Sequence, residues 1–125
     1  IYTSAPDGGS LTRLTNTPYY HDENAEYSPD GKRIVWSHAC GGAPAKEVEL
    51  YLMESDGSNK ARLTHFNEPG YPEYLSKTYG SGEIDWSPDG TSIVFGYGYR
   101  WQFKYPFIAC HLYMLTFEGA CGNLP

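Results

Sequence analysis

The chain has no stretch of sustained helical periodicity, no cluster of basic residues, no apolar run approaching the length of a membrane span and no initiator methionine. The first absence points away from helices. The second, with a net charge of −6, argues against nucleic acid or an anionic membrane as a partner. The third leaves no candidate for a membrane-spanning helix. Three cysteines, Cys40, Cys110 and Cys121, are too few for a disulfide scaffold, and their odd number does not fix the compartment. No secretory leader opens the chain; it starts at Ile1-Tyr2, which reads as the inside of a strand and is expected of a fragment or a processed product. Catalytic signatures are missing too. There is no Gly-x-Ser-x-Gly elbow, no Walker loop, no His-Glu-x-x-His and no Gly-x-Gly-x-x-Gly. The expectation is a protein that is not an enzyme and holds no cofactor and no metal.

What is present is turn chemistry. Fourteen glycines and nine prolines in 125 residues favour many short strands, and 40 % hydrophobic residues permit a core. One phrase is written twice: Tyr27-Ser28-Pro29-Asp30-Gly31-Lys32-Arg33-Ile34-Val35-Trp36 and Trp86-Ser87-Pro88-Asp89-Gly90-Thr91-Ser92-Ile93-Val94-Phe95. Proline presets the first corner of a type I turn, aspartate suits the second, and glycine takes the positive φ that returns the chain to a ladder. The four residues Ser28 to Gly31, and again Ser87 to Gly90, are therefore structural turns. A second phrase also repeats. Tyr2, a turn at Pro6-Asp7-Gly8-Gly9 and Arg13-Leu14-Thr15 return as Tyr51, a turn at Asp56-Gly57-Ser58 and Arg62-Leu63-Thr64, with 12 residues from tyrosine to leucine each time. A weaker third copy starts at Leu112-Tyr113-Met114-Leu115.

The repeat thus has four strands, and four antiparallel strands in a unit of this length form a β-propeller blade pattern. Residues 1–15 hold the last two strands of one blade, 24–64 a complete blade and 83–125 a partial one. The Ser-Pro-Asp-Gly phrases, together with Glu49-Leu50-Tyr51-Leu52-Met53-Glu54-Ser55-Asp56-Gly57-Ser58-Asn59 and Arg62-Leu63-Thr64, resemble the TolB-type, WD-repeat-like propeller repeat. The resemblance implies an all-β propeller of about six to eight blades, in a periplasmic or secreted bacterial setting. It implies no single function. A binding or scaffold module for protein–protein contact is the leading expectation. A substrate-gating propeller of a prolyl-oligopeptidase-like hydrolase and a carbohydrate-binding propeller are the alternatives.

Linker lengths place the function. Thr15 to Ser28 is 13 residues but Thr64 to Ser87 is 23; Gly31 to Tyr51 is 20 but Gly90 to Tyr113 is 23. In a meander, alternate loops leave on one side. The variable loops, about 16–24, 38–47, 65–82 and 97–111, are therefore expected to share one face, where a protein or glycan partner binds; the bland alternative is tolerated insertion. Aromatic residues occupy every odd position from Phe95 to Phe107, which reads as a strand with one aromatic face. Phe95 and Tyr97 are expected to pack between sheets. Tyr99, Trp101, Phe103 and Tyr105 are candidate partner-binding residues, with simple packing the alternative for them. His21, Asp22 and Glu23, placed in the loop before a first strand, are further candidates: a histidine beside two carboxylates either ligates and titrates or is a solvated polar loop. Glu26 and Asp85 match in position and read as structural. His38, Cys40, Cys110 and His111 would supply four zinc ligands only if two loops met, at a spacing unlike known zinc patterns; a Cys40–Cys110 disulfide and free thiols are the other options.

Overall fold

The computed structural model describes residues 1–40, 47–75, 80–100 and 108–117, without the side chains of Cys40, Gly80, Ser81, Tyr99, Arg100, Ile108, Ala109 and Cys110. Among these residues the protein is all-β, with every strand pair antiparallel. A first sheet pairs β1 (Tyr2–Thr3) with β2 (Thr12–Arg13). A second runs in the order β3 (Tyr20–Tyr27), β4 (Arg33–Cys40), β5 (Glu47–Glu54), β6 (Ala61–Arg62). A third contains β7 (Gly80–Trp86), β8 (Ser92–Arg100) and β9 (Ile108–Thr116).

The repeated phrases build the same hydrogen bonds each time. In both Ser-Pro-Asp-Gly turns the glycine N–H donates to the serine carbonyl at 2.8 Å, and Gly31 and Gly90 share a φ of 70°. Ser28 Oγ donates to Asp30 Oδ1 at 2.7 Å, and Ser87 Oγ to Asp89 Oδ1 at 2.6 Å. The aspartates also accept the N–H of Lys32 and of Thr91. The other phrase behaves alike: Arg13 Nε and Arg62 Nε each reach the carbonyl two residues on, of Thr15 and Thr64, at 2.6 Å. Polar turn side chains here replace the ladder bonds that a reversing backbone gives up.

These hydrogen bonds lower the turn aspartates' affinity for protons. Serine and backbone donors hold the carboxyls of Asp30 and Asp56 below the ordinary 3.8, and those around Asp89 bring it to about 2. A group bound less tightly by protons in the folded state stabilises the fold fully above its unfolded value, and that contribution disappears as pH falls through the folded value. The urea midpoint is therefore expected to hold steady from pH 7 to pH 5 and to fall between about pH 4 and pH 2. Asp89→Asn should flatten part of that fall; an unchanged acid limb in this variant would remove the turn from the explanation.

The sheets stack in one direction. On β4 and β5 of the second sheet, side chains alternate between a front face (Ile34, Trp36, Tyr51, Met53) and a back face (Val35, Val48, Leu50, Leu52). Ile1 and Leu14 of the first sheet's hairpin pack on that front. The back carries the front of the third sheet, Ile84, Trp86, Ile93, Phe95 and Tyr97, with Tyr113 and Leu115 alongside. Each fully buried side chain of this kind contributes about 1.5–3 kcal/mol. Three polar bonds set the fit: Tyr97 hydroxyl to Val48 carbonyl at 2.6 Å, Asn24 Nδ2 to Gly82 carbonyl at 3.0 Å and Trp86 Nε1 to Glu26 carbonyl at 3.4 Å. The carboxylates of Glu26 and Asp85 belong to exposed residues.

Several boundaries differ from the sequence reading. His21, Asp22 and Glu23 lie inside β3, not in a loop, because β3 starts at Tyr20 opposite Cys40. A bulge between Glu23 and Glu26, with Asn24 at a φ of 53°, breaks the period-two pattern that would have revealed the strand. The interval expected to be a loop over 97–111 also shrinks, since Arg100 pairs with Ile108. Of the aromatic alternation, Phe95, Tyr97 and Tyr99 lie on β8, which ends at Arg100. Trp101, Phe103 and Tyr105 lie outside the described residues.

Candidate functional site

The register puts the long connections at one end of the sheets. β3 begins where β4 ends and β5 begins (Tyr20↔Cys40, Cys40↔Glu47), and β7 begins near the end of β8 (Gly80↔Gly98). The tight turns at Ser28–Gly31, Asp56–Ser58 and Ser87–Gly90 sit at the opposite end, where Ser55 N–H donates to the Lys32 carbonyl at 2.7 Å.

Two buried carboxylates organise the loop end. Asp22, with a buried side chain, accepts from Trp36 Nε1 at 3.1 Å and from His38 Nδ1 at 2.6 Å on Oδ1, and from the Thr17 hydroxyl on Oδ2. Burial alone would raise its pKa; the bonds from Thr17, His38, Thr15 and Trp36 together outweigh burial and lower it, so the carboxylate is ionised at neutral pH. His38 is stacked under Tyr20, with centroids 4.8 Å apart, and meets Tyr51 edge-on at 4.8 Å. The histidine and the aspartate thus latch the segment that leads into β3. His21 and Glu23 point to the other side of the strand, exposed, 3.6 Å from one another. The trio singled out in the sequence is therefore split: Asp22 organises, and its two neighbours face solvent.

Glu49 does the same for the segment after β6. It accepts from the Thr64 hydroxyl at 2.6 Å, from the backbone N–H of Phe66 and Asn67 at 3.0 and 2.9 Å, and from Asn67 Nδ2 at 3.0 Å, and pairs with Arg62 at 2.8 Å. Arg62 also bonds Glu68. Phe66 is thereby driven between the sheets against Tyr97, 4.5 Å away, and Phe95, 5.8 Å away. Leu75 N–H closes the loop onto the Phe66 carbonyl at 2.7 Å. On its outside His65 lies flat on Tyr71, centroids 3.9 Å apart and planes at 2°, and meets Glu73 at 3.3 Å.

The result is a hydrogen-bonded rim carrying tyrosines. Tyr19, Tyr20, Tyr71 and Tyr74 are all exposed. Tyr19 is the extreme case, 92 % exposed at a φ of 75°. Thr17-Pro18-Tyr19-Tyr20 is a turn closed by Tyr20 N–H to the Thr17 carbonyl at 3.2 Å, with proline at its second position and a positive φ at its third. That geometry is type II, whose third position ordinarily takes glycine. A tyrosine there costs about 1–2 kcal/mol.

Sequence reasoning singled out neither these tyrosines nor Glu49. An acid between Val48 and Leu50 in an apolar strand was the available signal for the latter; isolated loop tyrosines carry no periodic signal. Phe95 and Tyr97 are buried between the sheets. Tyr99 lies on β8. Among the described residues no three His, Cys, Asp or Glu side chains gather as a metal site would. Cys40 and Cys110 fall on the second and third sheets, respectively. No protein-family model matches this chain, and no solved structure matches it.

Proposed function

We propose that this chain is a non-enzymatic binding module for protein–protein contact, whose loop end is the binding face and whose stacked sheets are blades of a TolB-like propeller. The remaining blades come in cis or from association of copies, in the periplasmic or secreted setting that goes with the resemblance. The observation that carries the reading is Tyr19. A large ring held in solvent by a conformation that disfavours it is a feature that folding alone does not select. Exposed tyrosines on pre-ordered loops supply broad contact area at little entropic cost, and strain of this kind concentrates at binding sites.

Tyr19→Gly tests this. It relieves the positive φ, so the fold should gain roughly 1 kcal/mol in chemical denaturation. Binding should lose about 2 kcal/mol, some thirtyfold, if the ring is an anchor. The measurement is retention of proteins from a bacterial periplasmic extract on the immobilised chain, beside a glycan array. A retained protein released by Tyr19→Gly supports the proposal. Binding to glycans alone would hand the face to carbohydrate, and retention indifferent to Tyr19 would overturn the assignment.

A further inference from the structure

The three sheets permit a comparison of like with like. Register makes Leu112 and Met114 of β9 the counterparts of Leu50 and Leu52 of β5, because Tyr113 faces Phe95 as Tyr51 faces Trp36. Leu50 and Leu52 are 0 % and 4 % exposed beneath the third sheet; Leu112 and Met114 are 79 % and 70 % exposed. Among the described residues, the back of β9 is therefore uncovered at Leu112 and Met114. At the other end the counterpart of Tyr51 and Tyr113 is Tyr2, paired with Arg13 as Tyr51 is with Arg62. Tyr51 and Tyr113 pack into the two cores, whereas Tyr2 is 56 % exposed, with the Arg13 guanidinium 5.7 Å above its ring.

One end thus presents a back without its front, and the other a front without its back. Both sets of exposed residues lie on the same strand of the repeat, the one that Tyr51 occupies in the second sheet. We infer that the Leu112–Met114 face is a docking surface for a second copy of this chain, seated front-to-back so that its Tyr2 hairpin covers these residues. Such a contact is heterologous; it closes a ring when the rotation between copies closes, as stacked blades do, and runs on as a filament when it does not. The inference rests on the front-to-back stacking of the proposed blades and not on the tyrosine rim, so its failure would leave the Tyr19 experiment standing.

The test is molar mass by light scattering over a concentration series. The unaltered chain should form a discrete oligomer. Leu112→Glu/Met114→Glu and, separately, Tyr2→Glu should each give monomers with unchanged far-ultraviolet circular dichroism, since all three residues are exposed within one copy. Mixing the two monomeric variants should restore a 1:1 dimer, because each retains one intact end. A monomeric unaltered chain would overturn the inference and assign the bare face to other blades. Assembly that survives Tyr2→Glu, or variants that stay monomeric when mixed, would overturn the front-to-back geometry in favour of a face that pairs with itself or another partner.

Discussion

Glu49→Ala is expected to cost about 3–5 kcal/mol of folding stability, the range for removing one partner of a buried, hydrogen-bonded charge pair. The substitution strips acceptors from the Thr64 hydroxyl, two backbone N–H groups and the Asn67 amide at once. It also leaves Arg62 with Glu68 alone, whose side chain is 45 % exposed. Water cannot easily replace these bonds, because Phe66 and Thr64 are themselves buried. Glu49→Gln keeps the volume and one acceptor, so it should fall between the two. The check is urea unfolding of the three proteins, with hydrogen exchange at Phe66 and Asn67 amides. A loss below about 1 kcal/mol in the alanine variant would mean that the loop is held by Phe66 packing and not by the carboxylate.

Phe95→Ala should have an effect of the same size, about 3–5 kcal/mol, as for a large aromatic removed from a close-packed core. Its ring touches Phe66, Tyr97 and Tyr113 at centroid distances of 5.8, 6.5 and 5.8 Å, and its surroundings belong to two sheets and one loop. Collapse into the gap is opposed from three sides, which places the cost towards the top of the range. Phe95→Leu should cost far less, since it keeps most of the apolar volume. A double-mutant cycle with Phe66→Leu should return a coupling of about 0.5–1.5 kcal/mol. Additivity in that cycle would show that loop and sheet are held independently.

These two residues mark the limits of reading the sequence. Phe95 was legible, because β8 alternates cleanly after a turn whose proline, aspartate and glycine act within four residues. The strand content and the hairpins follow from such local chemistry. Glu49 showed only as an acid in an apolar strand; its role was not legible, because its partners lie 13 to 18 residues away along the chain. Asp22 was noticed but misplaced. The bulge after Glu23 hides the alternation of β3, so a buried latch looked like part of a charged loop. Tyr19 needed the backbone itself, since only its φ distinguishes it from any other surface tyrosine.

The one-directional stacking also shapes how the chain folds as it is made. Every strand pairs with its sequence neighbour, so contacts are local and ladders close quickly. The second sheet has all its strands once residue 62 has been synthesised, yet Val35, Leu50 and Leu52 are not covered by the third sheet until Phe95 and Tyr97 follow. Between those moments the nascent chain carries an open apolar surface, the kind that draws chaperones or neighbouring chains. Phe66 is the first aromatic residue to emerge after that sheet, and Glu49, already in place, captures its N–H. The loop that carries Tyr71 and Tyr74 is therefore also a provisional cover, protecting the sheet during the thirty or so residues of synthesis before its permanent neighbour arrives.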